Sequence, residues 1–207
     1  MTLLDVPVSR KLPAEVLTAR EVDALMRACA SGKPGSPGHA VGLRNRALLA
    51  VLYRAGLRCA EALALRPKDL DPITGTVRVL HGKGDKSRTV GMDAGAFAVV
   101  ECWAAVRAKL VCDPAPLLCT LDGGPLQAQY VRALMPRLAA RAGVEKRVHA
   151  HGMRHSHAFE LANEGVPIHV IAAQLGHASA AVTDRYIRHL APQQVIETMR
   201  AREWRTL

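Results

Sequence analysis

Apolar positions along this 207-residue chain recur mostly at helical spacing, and one short stretch alternates instead. Thr18 and Glu21 stand in T-x-x-E order ahead of an apolar run, which is a capping-box signature. A first helix is therefore predicted to run to about Ala30. Residues 31–39, SGKPGSPGH, read as a loop. A long apolar helix is predicted over 41–55 with Gly56 as its stop, then a shorter amphipathic one over 59–65 ahead of Pro67. Here the period changes. Segments 76–80 (TVRVL) and 87–92 (SRTVGM) flank the turn HGKGDK and predict a β-hairpin, with a short third strand near 68–71.

Asp93 is placed to cap a helix over 94–111, and the Pro- and Gly-rich 112–126 reads as a long loop. Helices are predicted over 127–142, 152–164, 167–175, 179–189 and 192–203. Gly143, Gly165 and Gly176 fall where a helix ends in a left-handed residue, and Pro167 and Pro192 fall at first helical positions. The expected fold class is mainly α (α+β): a helical domain with a small antiparallel β-sheet. Residues 1–17 are expected to be an arm or linker, 18–190 the body of the domain, and 191–207 a tail helix.

Composition narrows the class. Hydrophobic residues make up 49% and charged residues 22%, a balance that supports a packed core and excludes a disordered chain. Lys and Arg outnumber Asp and Glu by 28 to 18, a balance that suits nucleic acid as a partner and equally a solvated basic surface or an anionic membrane. No run approaches the ~18 apolar residues of a membrane span. The N-terminal MTLLDVPVSRKLP lacks the apolar core of a signal peptide. The five cysteines, Cys29, Cys59, Cys102, Cys112 and Cys119, form no CxxC pair and read as core thiols of a reducing compartment. A cytoplasmic protein is expected.

Several side chains can carry chemistry. Arg58 sits in an apolar context (YRAGLRCAEALAL) where a lone guanidinium is costly, and Glu61 is placed to pair with it. Lys83 lies between Gly82 and Gly84 at the hairpin tip, and Lys86 and Arg88 add charge to the same finger. His151 and Arg154 are three apart and share a helix face. An arginine there can grip a phosphate through two parallel hydrogen bonds. His177 follows the helix stop Gly176, and Tyr186 lies between Arg185 and Arg188. Taken singly, each has an ordinary structural explanation: an ion pair, a solvated loop, a helix cap, a half-buried aromatic. A metal site built on His151 and His155, with His149 and His157 nearby, lacks the glutamate of H-E-x-x-H and any neighbouring acid or thiol. His155 and His157 read as packing or solvent-facing residues.

Together the set suits metal-free attack on a phosphodiester. A phenol is only ~0.1% ionised at neutral pH, so a base or a dense positive field must activate it. Arginines offset the charge that builds on the non-bridging oxygens, and a lysine can protonate the leaving alkoxide.

This set, in this order, resembles the tyrosine recombinase (phage integrase) family over most of the chain. GLRCAEALAL is similar to the first arginine box, HGKGDKSRTV to the hairpin box, HGMRHSHAFEL to the H-x-x-R-H box, and LGHASAAVTDRY to the last box. The resemblance implies catalytic roles for Arg58, Lys83, His151, Arg154, His177 and the nucleophile Tyr186, with Glu61 in support. It implies DNA contacts for Lys86, Arg88, Arg185 and Arg188. The implied activity is site-specific cutting and rejoining of double-stranded DNA through a 3′-phosphotyrosine, without a metal or other cofactor. A homotetramer on DNA, held by the tail helix, is implied as well. Arg58, Arg154 and His177 would bind the phosphate, His151 would assist proton transfer, and Lys83 would protonate the leaving oxygen.

Three departures from the family pattern stand out. Cys59–Ala60 replace a usual serine-containing pair, and His157 replaces a usual aromatic, with an effect expected on packing. Only about 17 residues precede the domain, where members carry a DNA-clamping helical domain, so DNA binding by this chain is expected to be weak and salt-sensitive. A non-cleaving DNA-binding accessory protein and a topoisomerase-like DNA-relaxing enzyme are alternatives that share these residues.

Overall fold

The computed structural model describes residues 15–80, 87–112, 114–177 and Arg200. Lys83, Lys86, Arg185, Tyr186 and Arg188, and the helices expected over 179–189 and 192–203, lie outside these residues apart from helical Arg200.

Seven α-helices, a short 3-10 helix (Pro67–Asp69) and one sheet make up the described part. Helix α1 (Ala19–Ala28) opens on the expected capping box, with Thr18 Oγ1 accepting from Glu21 N–H and Glu21 Oε2 accepting from Thr18 N–H. Helix α2 (Pro37–Tyr53) begins four residues before the predicted start. Ser36 caps it by accepting the His39 N–H, and Pro37 occupies its first turn, where a missing N–H costs nothing. The supposed loop therefore already contains the helix start.

Residues 47–53 of α2 are buried without a break, so this helix is hydrophobic all round and forms the centre of the molecule. It packs against α4 (Ala94–Leu110) on one side and α6 (Ala150–Asn163) on another. Leu48, Leu49 and Leu52 are fully enclosed, each worth about 1.5–3 kcal/mol relative to exposure.

The remaining helices are α3 (Cys59–Ala64), α5 (Ala128–Ala142) and α7 (Ile168–Leu175). Strands β1 (Leu70–Asp71), β2 (Thr76–Val79) and β3 (Arg88–Gly91) form an antiparallel sheet in that order. Val77, Val79 and Val90 face the core, while Arg78 and Thr89 face out, the alternation that predicted the hairpin. Arg107 of α4 donates to the carbonyls of Ala115 and Pro116, and Trp103 Nε1 donates to Leu117 O at 2.7 Å. These bonds seat the 114–126 loop against the core, and Leu117 N–H in turn donates to Leu65 O just after α3.

Two expectations change. Residues 15–17 are fastened to the body: Leu17 is buried, its N–H donates to Ser156 Oγ, and Lys146 donates to Val16 O. Of the cysteines, Cys29 and Cys119 are core thiols, Cys59 is half-buried, and Cys102 and Cys112 are exposed; all five are free. Among the described residues no helix is long and apolar enough to cross a membrane.

Candidate functional site at the C-terminal end of α7

A helix end leaves carbonyls without helical partners and carries partial negative charge. Helix α7 stops at Gly176, whose left-handed φ of 62° turns the chain; the N–H groups of Gly176 and His177 bond back to Ala173 and Ala172. The carbonyls of Leu175 and Gly176 stay available, and arginines from two distant segments take them. Arg154 Nη2 donates to Leu175 O, and Arg58 Nη2 donates to Gly176 O at 3.3 Å. Consecutive Cα atoms are about 3.8 Å apart, so the two guanidinium groups meet at one place. His177 follows directly.

Arg154 is buried on α6, and its Nη1 also donates to Gly56 O at 2.6 Å. Gly56 ends the segment after α2 with φ 63°, and a Cβ there would lie 2.5 Å from His157 Cδ2, so glycine is required. The same residue thus lets the chain turn toward Arg58 and offers its carbonyl to Arg154.

Arg58 precedes α3 as its N-cap. Glu61 Oε2 accepts the Arg58 N–H at 2.9 Å and Glu61 Oε1 accepts Arg58 Nη1 at 2.7 Å, so the expected pair forms. Arg88 adds two more bonds to the same carboxylate, both at 2.8 Å. Burial alone would raise the Glu61 pKa, but the bonds from Arg88 and from the Arg58 backbone and side chain outweigh it, and the carboxyl sits at about 2. The family resemblance implies a DNA contact for Arg88. Its side chain is instead turned onto Glu61 and lies against Gly176, where an added Cβ would come within 2.6 Å of its Nε.

His151 heads the exposed end of α6, and its ring meets His155 edge-on with centroids 4.1 Å apart. Burial, then Arg154, His149 and Arg58, lower its proton affinity. His177 is lowered to about 4, by burial first and then by Arg154, Arg58, His151 and Arg88. Both imidazoles are therefore neutral near neutral pH, and the arginines are close enough to act on both. His149, absent from the sequence reading as a site residue, caps α6 by accepting the Gly152 N–H at Nδ1. His155 and His157 are buried, not solvent-facing. Among the described residues no group of three His, Cys, Asp or Glu side chains is arranged to hold a metal ion.

The structure thus brings together Arg58, Glu61, Arg88, His151, Arg154 and His177 from the α2–α3 turn, β3, α6 and the end of α7. Among the described residues, Arg58 and Arg88 bond to one carboxylate, Glu61, and Arg154 joins them through the carbonyls of Gly56 and Leu175, an arrangement suited to an anion. Sequence reasoning missed one member of this neighbourhood, Gln174, which bonds to Gly91 and Ala55. Nothing in its local sequence signals a contact to residues so far away.

Residues 15–193 match the profile of the Phage integrase family. Tyrosine recombinase XerD of Xanthomonas campestris pv. campestris is 34% identical over 211 residues, covering 97% of this chain and 62% of that protein. Tyrosine recombinase XerC of Shewanella amazonensis is 34% identical over 159 residues, 75% of this chain and 53% of that protein. The chain spans about half to three-fifths of the length of these curated relatives. In structure it resembles XerA recombinase, with a TM-score of 0.78 and 26% identity over 92% of this chain and 66% of that one. It also resembles a XerH site-specific recombinase bound to palindromic difH substrate in a post-cleavage complex, with a TM-score of 0.74 and 26% identity over 92% of this chain and 54% of that one. With its profile match running through every described element and its fold shared with these recombinases, the chain belongs to the phage integrase family.

Proposed function

We propose that this chain is a site-specific recombinase that cuts and rejoins double-stranded DNA through a 3′-phosphotyrosine. The observation that supports this most is the meeting of Arg58 and Arg154 on consecutive carbonyls beside His177. The Tyr186 oxygen attacks the phosphorus, the new O–P bond forms, and the bond to the 5′ oxygen breaks. Neutral His151 takes the phenol proton, and Lys83 gives a proton to the leaving 5′ oxygen. Arg58, Arg154 and the imidazole N–H of His177 hold the non-bridging oxygens as charge builds there. Return attack by a 5′ hydroxyl restores the phosphodiester, so bond energy is conserved and the step balances without a nucleotide or metal. Lys86, Arg185 and Arg188 contact DNA, the working form is a homotetramer on DNA, and the protein acts in the cytoplasm.

The test is incubation of the full chain, in chelator, with a random-sequence pool of nicked duplexes, followed by denaturing isolation of covalent adducts. Adducts that disappear with Tyr186→Phe are expected. Adducts that persist in that variant contradict the assigned nucleophile. Retention of DNA by the chain with no adduct on any duplex supports the non-cleaving binding protein instead.

A further inference from the structure

Gln174 lies on α7, and its side chain bonds to two other segments that build the site. Strand β3 is the outer strand of the sheet: β2 covers one edge, and the other faces α7. At Gly91 the backbone N–H and C=O both point to that outer edge. The Gln174 carboxamide meets them as a peptide group would, Oε1 accepting the Gly91 N–H at 2.9 Å and Nε2 donating to Gly91 O at 2.7 Å. A primary amide is the one uncharged side-chain group with donor and acceptor side by side. The same Nε2 also donates to Ala55 O at 3.3 Å.

Both partners, and Gln174 itself, lead to the site. Ala55 precedes Gly56, whose carbonyl holds Arg154. Gln174 precedes Leu175 and Gly176, whose carbonyls hold Arg154 and Arg58. Gly91 lies on the strand that begins with Arg88, the residue clamped on Glu61. The Arg88–Glu61 bonds tie the other end of the same strand to this pocket, while the β2 ladder and buried Val90 hold its middle. The Gln174 bonds fix how the Gly91 end sits against α7.

We propose that Gln174 is a positioning residue that sets the β2–β3 hairpin against the phosphate-binding end of α7, acting through Gly91. The inference rests on the recombinase reading, in which the hairpin carries the leaving-group acid. Loss of the tie frees the Gly91 end of the strand and weakens protonation of the 5′ oxygen more than it weakens phosphate binding.

The experiment uses the full chain, Gln174→Met (similar volume, neither polar group) and Gln174→Ala. The substrates are two nicked duplexes of one selected sequence, one with an ordinary phosphodiester and one with sulfur at the 5′ bridging position. A thiolate leaves without a proton, because its pKa of about 8.5 is far below that of an alcohol. Both variants are expected to lose about ten-fold or more in adduct rate on the oxygen substrate. On the sulfur substrate the loss should shrink to within about two-fold. Faster amide exchange across 88–91 is expected alongside. Equal losses on both substrates, no loss on either, or unchanged exchange at β3 overturn the inference. Failure of the unmodified chain to form any Tyr186-dependent adduct on either substrate sinks the recombinase reading first, and this inference with it.

Discussion

Arg58 and Arg154 reach the same helix end by different anchors. Arg58 is fixed by a buried carboxylate, which Arg88 shares. Arg154 is fixed by two main-chain carbonyls, of Gly56 and Leu175, from segments over a hundred residues apart in sequence. A carboxylate orients a guanidinium strongly but cancels part of its charge. A carbonyl orients it through a dipole and leaves the charge almost whole. The site thus combines an arginine held by a carboxylate with one held by main-chain carbonyls. The cost falls on the backbone, since Gly56 and Gly176 must both hold left-handed turns beside bulky neighbours.

The largest effect follows from breaking the carbonyl-held arginine. Arg154→Lys keeps the charge but cannot reach both carbonyls and a phosphate together. Adduct formation should fall by about 10²–10³-fold, as when an oxyanion donor is removed, while DNA retention falls far less. Near-normal cleavage would remove the bidentate role.

The carboxylate-held side breaks next. Glu61→Gln replaces the partner of two guanidinium groups in a buried place and should cost roughly 3–5 kcal/mol in denaturant unfolding. The same anchor predicts a pH signature. With a folded pKa of about 2 against an ordinary 4.5, Glu61 contributes stability that is fully present above pH 4.5 and is lost as pH falls toward 2. Urea titrations of Glu61→Gln should lack that acid limb.

A separate acid limb comes from the core beneath Arg154. His157 is buried, both of its ring nitrogens lack a hydrogen bond, and it packs against Gly56. Burial first, then Arg54 and Arg154, hold its pKa at about 4, with Asp93 opposing them. Below pH 6.5 the unfolded chain takes up a proton that the folded chain refuses, so this stability is present above 6.5 and is lost toward pH 4. The shift corresponds to roughly 3 kcal/mol across the window, and His155 and His177 are shifted in the same direction. His157→Phe should remove its share of this limb and add about 1 kcal/mol at neutral pH by deleting the unsatisfied nitrogens. A variant with an unchanged limb would refute the assignment.

The elements legible in sequence were those with local signals. Thr18–Glu21, Asp93 and Gly176 mark helix ends by side chains a few residues away, and they stand where expected. The start of α2 was also written locally, in Ser36–Pro37, but the surrounding glycines and prolines looked like loop. The Arg58–Glu61 pair was legible because it is three residues long. The inward turn of Arg88 was not, since its partner is 27 residues away, nor was the Gln174–Gly91 bond across 83 residues. Chain chemistry names the groups that a site needs; only tertiary packing decides which of several arginines faces inward.

Mass spectrometry of the nuclease-trimmed adduct asks whether the two arginines surround the phosphate attacked by the Tyr186 oxygen. The expected result is one tryptic peptide, containing Tyr186, with a 3′-linked deoxynucleotide on the phenol oxygen, and none from Arg154→Lys under the same conditions. A nucleotide on any other side chain, or a Tyr186 adduct formed as well without Arg154, would contradict it.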